Sequence, residues 1–229
     1  MSDETAASDR VRAEWSRRVE VEYRSAALTA HLALWLIQAG ASPDLIRLAL
    51  RIVDDELTHA ELAHRVAAAA GAEPRTIDRG ALALARNEAE PLEHDLARTC
   101  VGTFCLGETV AVPLFAALRD GCTVAVARQA LDRVLRDEVH HRDFGWSLLE
   151  WLLASGGGAT LRALVERELP AQLAAVRTTY APTDARAIPC SAAERAWGLM
   201  PSQMYGDIFA ATVKRDYIPR FAKLGIEVR

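Results

Sequence analysis

Asp55-Glu56-Leu57-Thr58-His59 and Asp137-Glu138-Val139-His140-His141 are two copies of one string, Asp-Glu-x-x-His. Residues three apart on a helix point the same way, so each copy offers a carboxylate and an imidazole on one face. Such a pair suits a metal ion. One copy is weak as a signal, because Glu and His meet at this spacing by chance on many exposed helices. Two copies, each inside a long apolar helix, are a much stronger one. The rest of the chain must then supply the remaining ligands.

Upstream of the first copy, Ser8-Asp9 caps a helix that runs to about Gln38 and stops at Gly40. Its apolar stripe passes through Trp15, Val19, Ala26, Ala33 and Ile37. Glu22 falls on that stripe, where an unpaired charge is costly, so Glu22 is the ligand candidate. Glu20, on the more polar face with Arg24, is the alternative. Ser42-Pro43-Asp44 opens a second helix, with Ser as cap and Pro in the first turn. Leu45, Leu48, Ala49, Ile52 and Val53 lead into Glu56, His59 and Ala63, and the helix ends at Gly71. Glu22 lies 18 residues before Gly40 and Glu56 lies 16 after it, at similar depth in an antiparallel pair.

Residues 71–90 turn polar and mixed and read as a crossover with one short helix around Ala81–Ala85. Pro91 opens a third helix that is apolar almost all round from Ala97 to Leu118, which marks it as buried. Glu108 is the one acidic residue in that stretch, and in such surroundings it needs a proton, a partner or a metal. Pro113 is expected to kink the helix just beyond it. After Gly121 a fourth helix, about Val124 to Leu153, carries Glu138 and His141. Glu108 lies 13 residues before Gly121 and Glu138 lies 17 after it. The chain is thus a two-fold internal repeat, with Glu-to-Glu spacings of 34 and 30. Beyond the break Ser155-Gly156-Gly157-Gly158, a helix over about Ala159–Arg177 and a last one from Ser191 to about Ala211 are expected. The aromatic residues Trp197, Tyr205, Phe209, Tyr217 and Phe221 should cover one side of the bundle.

The 229 residues, 51% of them hydrophobic, suffice for one domain with a sizeable core. A net charge of −4 without a basic stripe argues against nucleic acid. Cysteines 100, 105, 122 and 190 form no Cys-x-x-Cys pair, which suits free thiols in a reducing compartment. The start of the chain is polar and acidic and lacks the apolar core of a signal peptide. The apolar run Ala26–Ile37 is too short for a membrane span. A cytoplasmic protein is expected.

Glu22, Glu56, His59, Glu108, Glu138 and His141 together make four carboxylates and two imidazoles. Four buried negative charges need compensation, and two divalent ions supply four positive ones. Carboxylate oxygen with imidazole suits iron or manganese, and the absence of thiolate ligands argues against structural zinc.

This ligand pattern resembles the ferritin-like di-iron carboxylate proteins, in which two helices give one Glu each and two give Glu-x-x-His. The resemblance covers residues 9 to about 153. It implies an all-α, ferritin-like four-helix bundle with a long crossover between helices 2 and 3 and extra C-terminal covering helices. The Asp before each Glu is similar to the oxygen-activating members. It implies that Asp55 and Asp137 hold the His ligands by their other ring nitrogens, a contact that can run across the two halves. A looser likeness to aldehyde-deformylating oxygenase lies in Asp137-Glu138-x-x-His141 followed by Gly145-x-x-Leu148, in Leu169-Pro170 and in Tyr205-Gly206. The resemblance implies two iron ions, or manganese with iron, that bind O2 and oxidise a small, largely apolar organic substrate, with an external electron donor. A homodimer is left open. Its pocket would be lined around Glu108, with Cys105 and Ala111 leaving space. The rival functions within the superfamily are iron handling, as in ferroxidases, and peroxide scavenging, as in rubrerythrins. The latter carry a rubredoxin-type cysteine domain and a further Glu on helix three.

Other residues take plainer readings. His140 points about 100° away from His141 and is a surface or packing residue. His31 faces away from Glu22 and reads as a core histidine. Tyr23 reads as a packing tyrosine. His64 and His94 are given no role.

Overall fold

The computed structural model describes residues 6–74, 76–181 and 188–228. The described part is helical, with no strand among the described residues. The sequence of residues 1 to about 8 reads as disordered, and residues 1–5 of that segment lie outside the described residues.

Helix α1 spans Asp9–Gln38 and α2 spans Pro43–Ala69. The Ser8 and Ser42 hydroxyls accept the Val11 and Leu45 amides, which caps both N-termini. Gly40 and Gly71 take φ of 69° and 76°, so each helix closes in a left-handed cap that a glycine adopts without strain. Beyond them Ala41 N–H reaches Leu36 O and Ala72 N–H reaches Ala67 O, both at 2.9 Å. The short link folds α2 back along α1. The apolar stripe of α1 drifts by its last turn, so that Leu36 is buried and Ile37 is 56% exposed. Leu48, placed on the apolar face of α2 by its spacing, is exposed as well.

Among its described residues the crossover carries a three-residue 3₁₀ turn, Arg79–Ala81, two residues earlier than the helix expected there. Asp78 accepts the Gly80 amide and starts this turn early. The third rod consists of α3 (Leu92–Thr99), a π-helical segment (Cys100–Glu108) and α4 (Thr109–Asp120). Its departure from α geometry therefore begins ahead of Glu108, and Pro113 lies beyond it, inside α4. By length and composition Leu92–Asp120 is apolar enough to cross a membrane, a longer stretch than Ala26–Ile37. In this fold 61% of its apolar window is buried, as in the core helix of a globule.

Helix α5 (Ala125–Ala154) packs on both α2 and the third rod, and so joins the two halves of the repeat. Gly145 permits this approach. A Cβ there would lie 2.5 Å from Phe104 Cβ and 2.8 Å from its carbonyl carbon. Helix α6 (Gly158–Tyr180) covers α3 and the π segment. The single last helix expected after Ser191 is instead broken in two, α7 (Ala192–Ala196) and α8 (Ser202–Thr212). Gly198 at φ 79° and Pro201 between them end one helix and start the next. A second π segment (Val213–Tyr217) and α9 (Ile218–Lys223) follow. Trp197, Phe209, Tyr217 and Phe221 are buried and Tyr205 is half-buried, as the covering role requires. Tyr217 donates to Leu106 O at 2.6 Å, so the tail satisfies a carbonyl of the first π segment.

Candidate metal centre

Four elements contribute to one buried cluster. Glu22 comes from α1, Glu56 and His59 from α2, Glu108 from the π segment, and Glu138 and His141 from α5. All six are more than nine-tenths buried, Glu108 the least so at 8% exposure. Glu22, Glu56 and His59 offer ligand atoms within 4.8 Å of one another, and so do Glu56, Glu108 and His141. Glu56 belongs to both trios and lies between them. Glu138 belongs to neither, but its Oε2 is 3.7 Å from His141 Nδ1. The two imidazole rings stand 5.7 Å apart.

Each histidine turns Nδ1 toward the carboxylates and Nε2 outward. His59 Nδ1 is 3.4 Å from Glu56 Oε2, while Nε2 is 3.1 Å from Asp137 Oδ2. His141 Nδ1 is 3.4 Å from Glu56 Oε1, while Nε2 is 3.6 Å from Asp55 Oδ2. The Asp of each half thus faces the His of the other. Arg133 joins the two aspartates, with Nη2 on Asp55 Oδ1 at 2.8 Å and Nε on Asp137 Oδ2.

The electrostatics follow from this crowding. Burial, and then the neighbouring Glu56 carboxylate, push the Glu22 carboxyl well above its ordinary range. Burial and then Glu138 do the same to Glu108. Burial works against charge on Glu138 too, but the neighbouring His141 and Glu108 outweigh it and hold that carboxyl low. Burial opposes a charged His59, yet Asp137 and Glu56 raise it to about 11. Asp55 and Glu138 likewise raise His141 to about 10. Burial and like charge thus disfavour the ionised forms of Glu22 and Glu108, whereas the neighbouring carboxylates favour charged rings on His59 and His141.

The donor atoms fit a metal. Among the described residues, Glu56 Oε2, Glu138 Oε2, His59 Nδ1 and His141 Nδ1 are buried without a hydrogen-bond partner. Each unmet group of this kind costs about 1–3 kcal/mol, and Glu56, His59 and His141 belong to the two ligand trios. Carboxylate oxygen with imidazole nitrogen is a donor set that suits divalent transition metals.

A cavity of 410 Å³ reaches the cluster. Glu22, Glu56, Glu108 and Glu138 line it, and His59 and His141 do not. Ala111, Leu114, Phe115, Leu118 and Val176 form its apolar wall. Ala111 lines the cavity as expected, but Cys105 does not; it is fully buried, with its sulfur 4.0 Å from that of Cys100. The π segment explains the change. Its bonds run five residues back, so Thr103 and Gly102 take the side of the rod that α-helical spacing assigned to Cys105, and both line the cavity.

Several contributors carried no signal in the spacing. Ser25 donates to Glu56 Oε1 at 3.0 Å; it sits one turn beyond Glu22, a position a search of that face would have reached. Arg133 lies four residues before Asp137 and was legible only as an ordinary helix ion pair. Tyr180, at the end of α6, lines the cavity, and burial followed by Glu108, Glu138 and Glu22 push its phenol well up. Glu20 does not line the cavity; it borders a surface depression with Val19 and His64. His140 and His64 are exposed and Tyr23 is 39% exposed. His31 is half-buried rather than core. His94 Nδ1 lies 3.7 Å from Glu90.

Comparison with protein-family models, with curated proteins and with solved structures finds no match to this chain.

Proposed function

We propose that the chain is a ferritin-like four-helix bundle with covering helices, which holds two iron ions and uses O2 to oxidise an organic substrate in the adjoining cavity. Manganese in place of one iron is compatible with the same donors. The observation that carries this reading is the placement of the cavity: it opens onto the four carboxylates and leaves both histidines behind them. Ions held there would have a protected face toward an apolar space.

Glu56 would bridge the two positions, Glu22 and His59 would complete one, and Glu108 and His141 the other, with Glu138 beside His141. Bound iron would supply redox chemistry with O2. The protein's own part is to orient and to exclude water. Asp137 fixes the His59 ring so that Nδ1 faces inward, and Asp55 faces the corresponding nitrogen of His141. Ser25 holds one oxygen of Glu56. Leu114, Phe115 and Leu118 keep the cavity wall dry. Four free, buried thiols are in keeping with a reducing, cytoplasmic setting.

Metal analysis of protein grown with iron tests the centre: about two iron ions per chain are expected from the donor count, and a single tightly held zinc would overturn it. O2 uptake by the reduced protein tests the reaction. Uptake that rises with an organic additive supports the oxygenase. Uptake that depends on added ferrous ion alone would point to iron handling instead.

A further inference from the structure

We propose that the cavity takes an amphipathic organic anion, with its carboxylate on Arg18 and its apolar body directed toward Glu108. The inference rests on reading the cavity as a substrate site and adds the charge and orientation of the substrate.

Arg18 lines the same cavity as the four carboxylates and is only 5% exposed. Its environment is half built. Nε reaches Glu14 Oε1 at 3.3 Å, Nη2 donates to Gly198 O at 3.3 Å, and the guanidinium lies 4.3 Å from the centre of the Trp15 ring. These contacts fix the plane of the group. Nη1 is buried and has no partner among the described residues. A buried guanidinium with an unmet N–H edge is costly, and its planar fork matches a carboxylate.

The surrounding charge has the same sense. Arg17 and Arg18 share one carboxylate, Glu14. Two guanidinium groups thus stand against one carboxylate at this end, and Arg24 lines the cavity just beyond Glu22. At the other end, two divalent ions would neutralise the four glutamates, which leaves the Arg18 end as the place for an anion.

The distances suit a chain of moderate length. Arg18 precedes Glu22 by one turn, about 6 Å along the axis. Gly198, which Arg18 binds, also packs by Cys122, just past the end of α4. The wall from Glu108 through Ala111 and Leu114 to Leu118 therefore runs toward the guanidinium, over about 15 Å of helix. An apolar chain lying along it would bring its far carbons to the metal positions while its charged end stays on Arg18.

Calorimetric titration of the iron-loaded protein with octanoate, and with octanol as the uncharged chain of equal length, tests this. Octanoate should bind about tenfold tighter or better, the scale of one charged hydrogen-bonded pair. Arg18→Gln should bring octanoate to the level of octanol and leave octanol unchanged. Where that variant does not fold, Arg18→Lys, which keeps the charge without the fork, should lose several-fold for octanoate alone. Equal affinity for the two probes, or no octanoate binding, would overturn the proposal. So would octanoate binding that needs iron and ignores Arg18, since the carboxylate would then sit on the metal. Iron content measured on the same samples separates the two readings. A chain that binds octanoate through Arg18 but takes up no iron keeps this proposal and loses the di-iron one.

Discussion

His59 Nε2 lies 3.1 Å from Asp137 Oδ2 across 78 positions of sequence. The reciprocal pair, His141 Nε2 and Asp55 Oδ2, stands at 3.6 Å, just beyond hydrogen-bond reach. Each half of the repeat therefore sets an aspartate against the other's imidazole, and Arg133 ties the two aspartates together. The two sides are not equal, because the His59 side is closed and the His141 side is looser.

That inequality gives a first prediction. Asp137→Ala should weaken metal binding at the His59 side by about 10–100-fold, the usual cost of removing a carboxylate behind a histidine ligand. Asp55→Ala should cost less. Competition with a chelator measures both. Equal losses would mean that the looser contact closes once metal is bound.

Glu56 belongs to both ligand trios, whereas Glu22 and Glu108 belong to one each. Glu56→Ala should therefore abolish uptake at both positions, while Glu22→Ala or Glu108→Ala should leave one ion bound. Metal analysis after gel filtration reads the stoichiometry. Loading the wild-type chain with ferrous or manganous ion should also raise its melting temperature. At a hundredfold excess over Kd the gain is about 2.7 kcal/mol. A Glu56→Ala protein that still holds both ions would remove the bridging role.

Gly145 lies one turn beyond His141 and lets α5 close on the π segment. Gly145→Ala must push two backbones apart, since the nearest obstacles are Phe104 Cβ at 2.5 Å and the Cys105 amide nitrogen at 3.0 Å. A loss of about 1–3 kcal/mol is expected from such overpacking. Metal affinity should fall with it, because Glu108 and His141 ride on the two displaced elements. Chemical denaturation and metal titration report the two effects, and an unchanged stability would contradict the close approach.

Asp95 sets a pH dependence remote from the candidate metal centre. It accepts the Asn87 amide at 2.9 Å and is bound by Arg86 and by Arg98, which also grips Glu168 of α6 through two bonds of 2.9 and 3.0 Å. Burial opposes its charge, but the Asn87 amide and the two guanidinium groups hold its carboxyl below the usual range. A lowered folded value means that the stabilisation is present above the unfolded value and is lost as the pH falls through the folded one. The loss should appear below about pH 4. Asp95→Asn should cost about 1–2 kcal/mol at neutral pH and flatten stability in acid, as urea unfolding at pH 7 and pH 3 would show. A variant with the same acid profile as the wild type would place the pH dependence elsewhere.

The helical class, the caps at Ser8 and Ser42, and the turns at Gly40 and Gly71 were legible in the sequence because they are local. Each depends on side chains within a few residues and on a period of 3.6. The same period put Glu22 on the buried stripe and singled out Glu108 in an apolar helix. It failed where the backbone left that period. Cys105 was assigned to the cavity by α-helical spacing, and the π segment turned Thr103 and Gly102 there instead. It failed again in the tail, where Gly198 and Pro201 divide what reads as one helix.

By itself, then, the sequence determined which residues are helical and which acidic and imidazole groups share a buried face. Both follow from short-range geometry and from the cost of burying charge. Only the tertiary structure decided who meets whom across the halves: Asp137 with His59, Arg133 with both aspartates, Ser25 with Glu56, and Arg18 with the cavity. Those contacts depend on how the helices pack and on one non-α segment. No pattern within a single helix encodes them, because they arise between side chains that are distant in sequence and adjacent only once the core has formed.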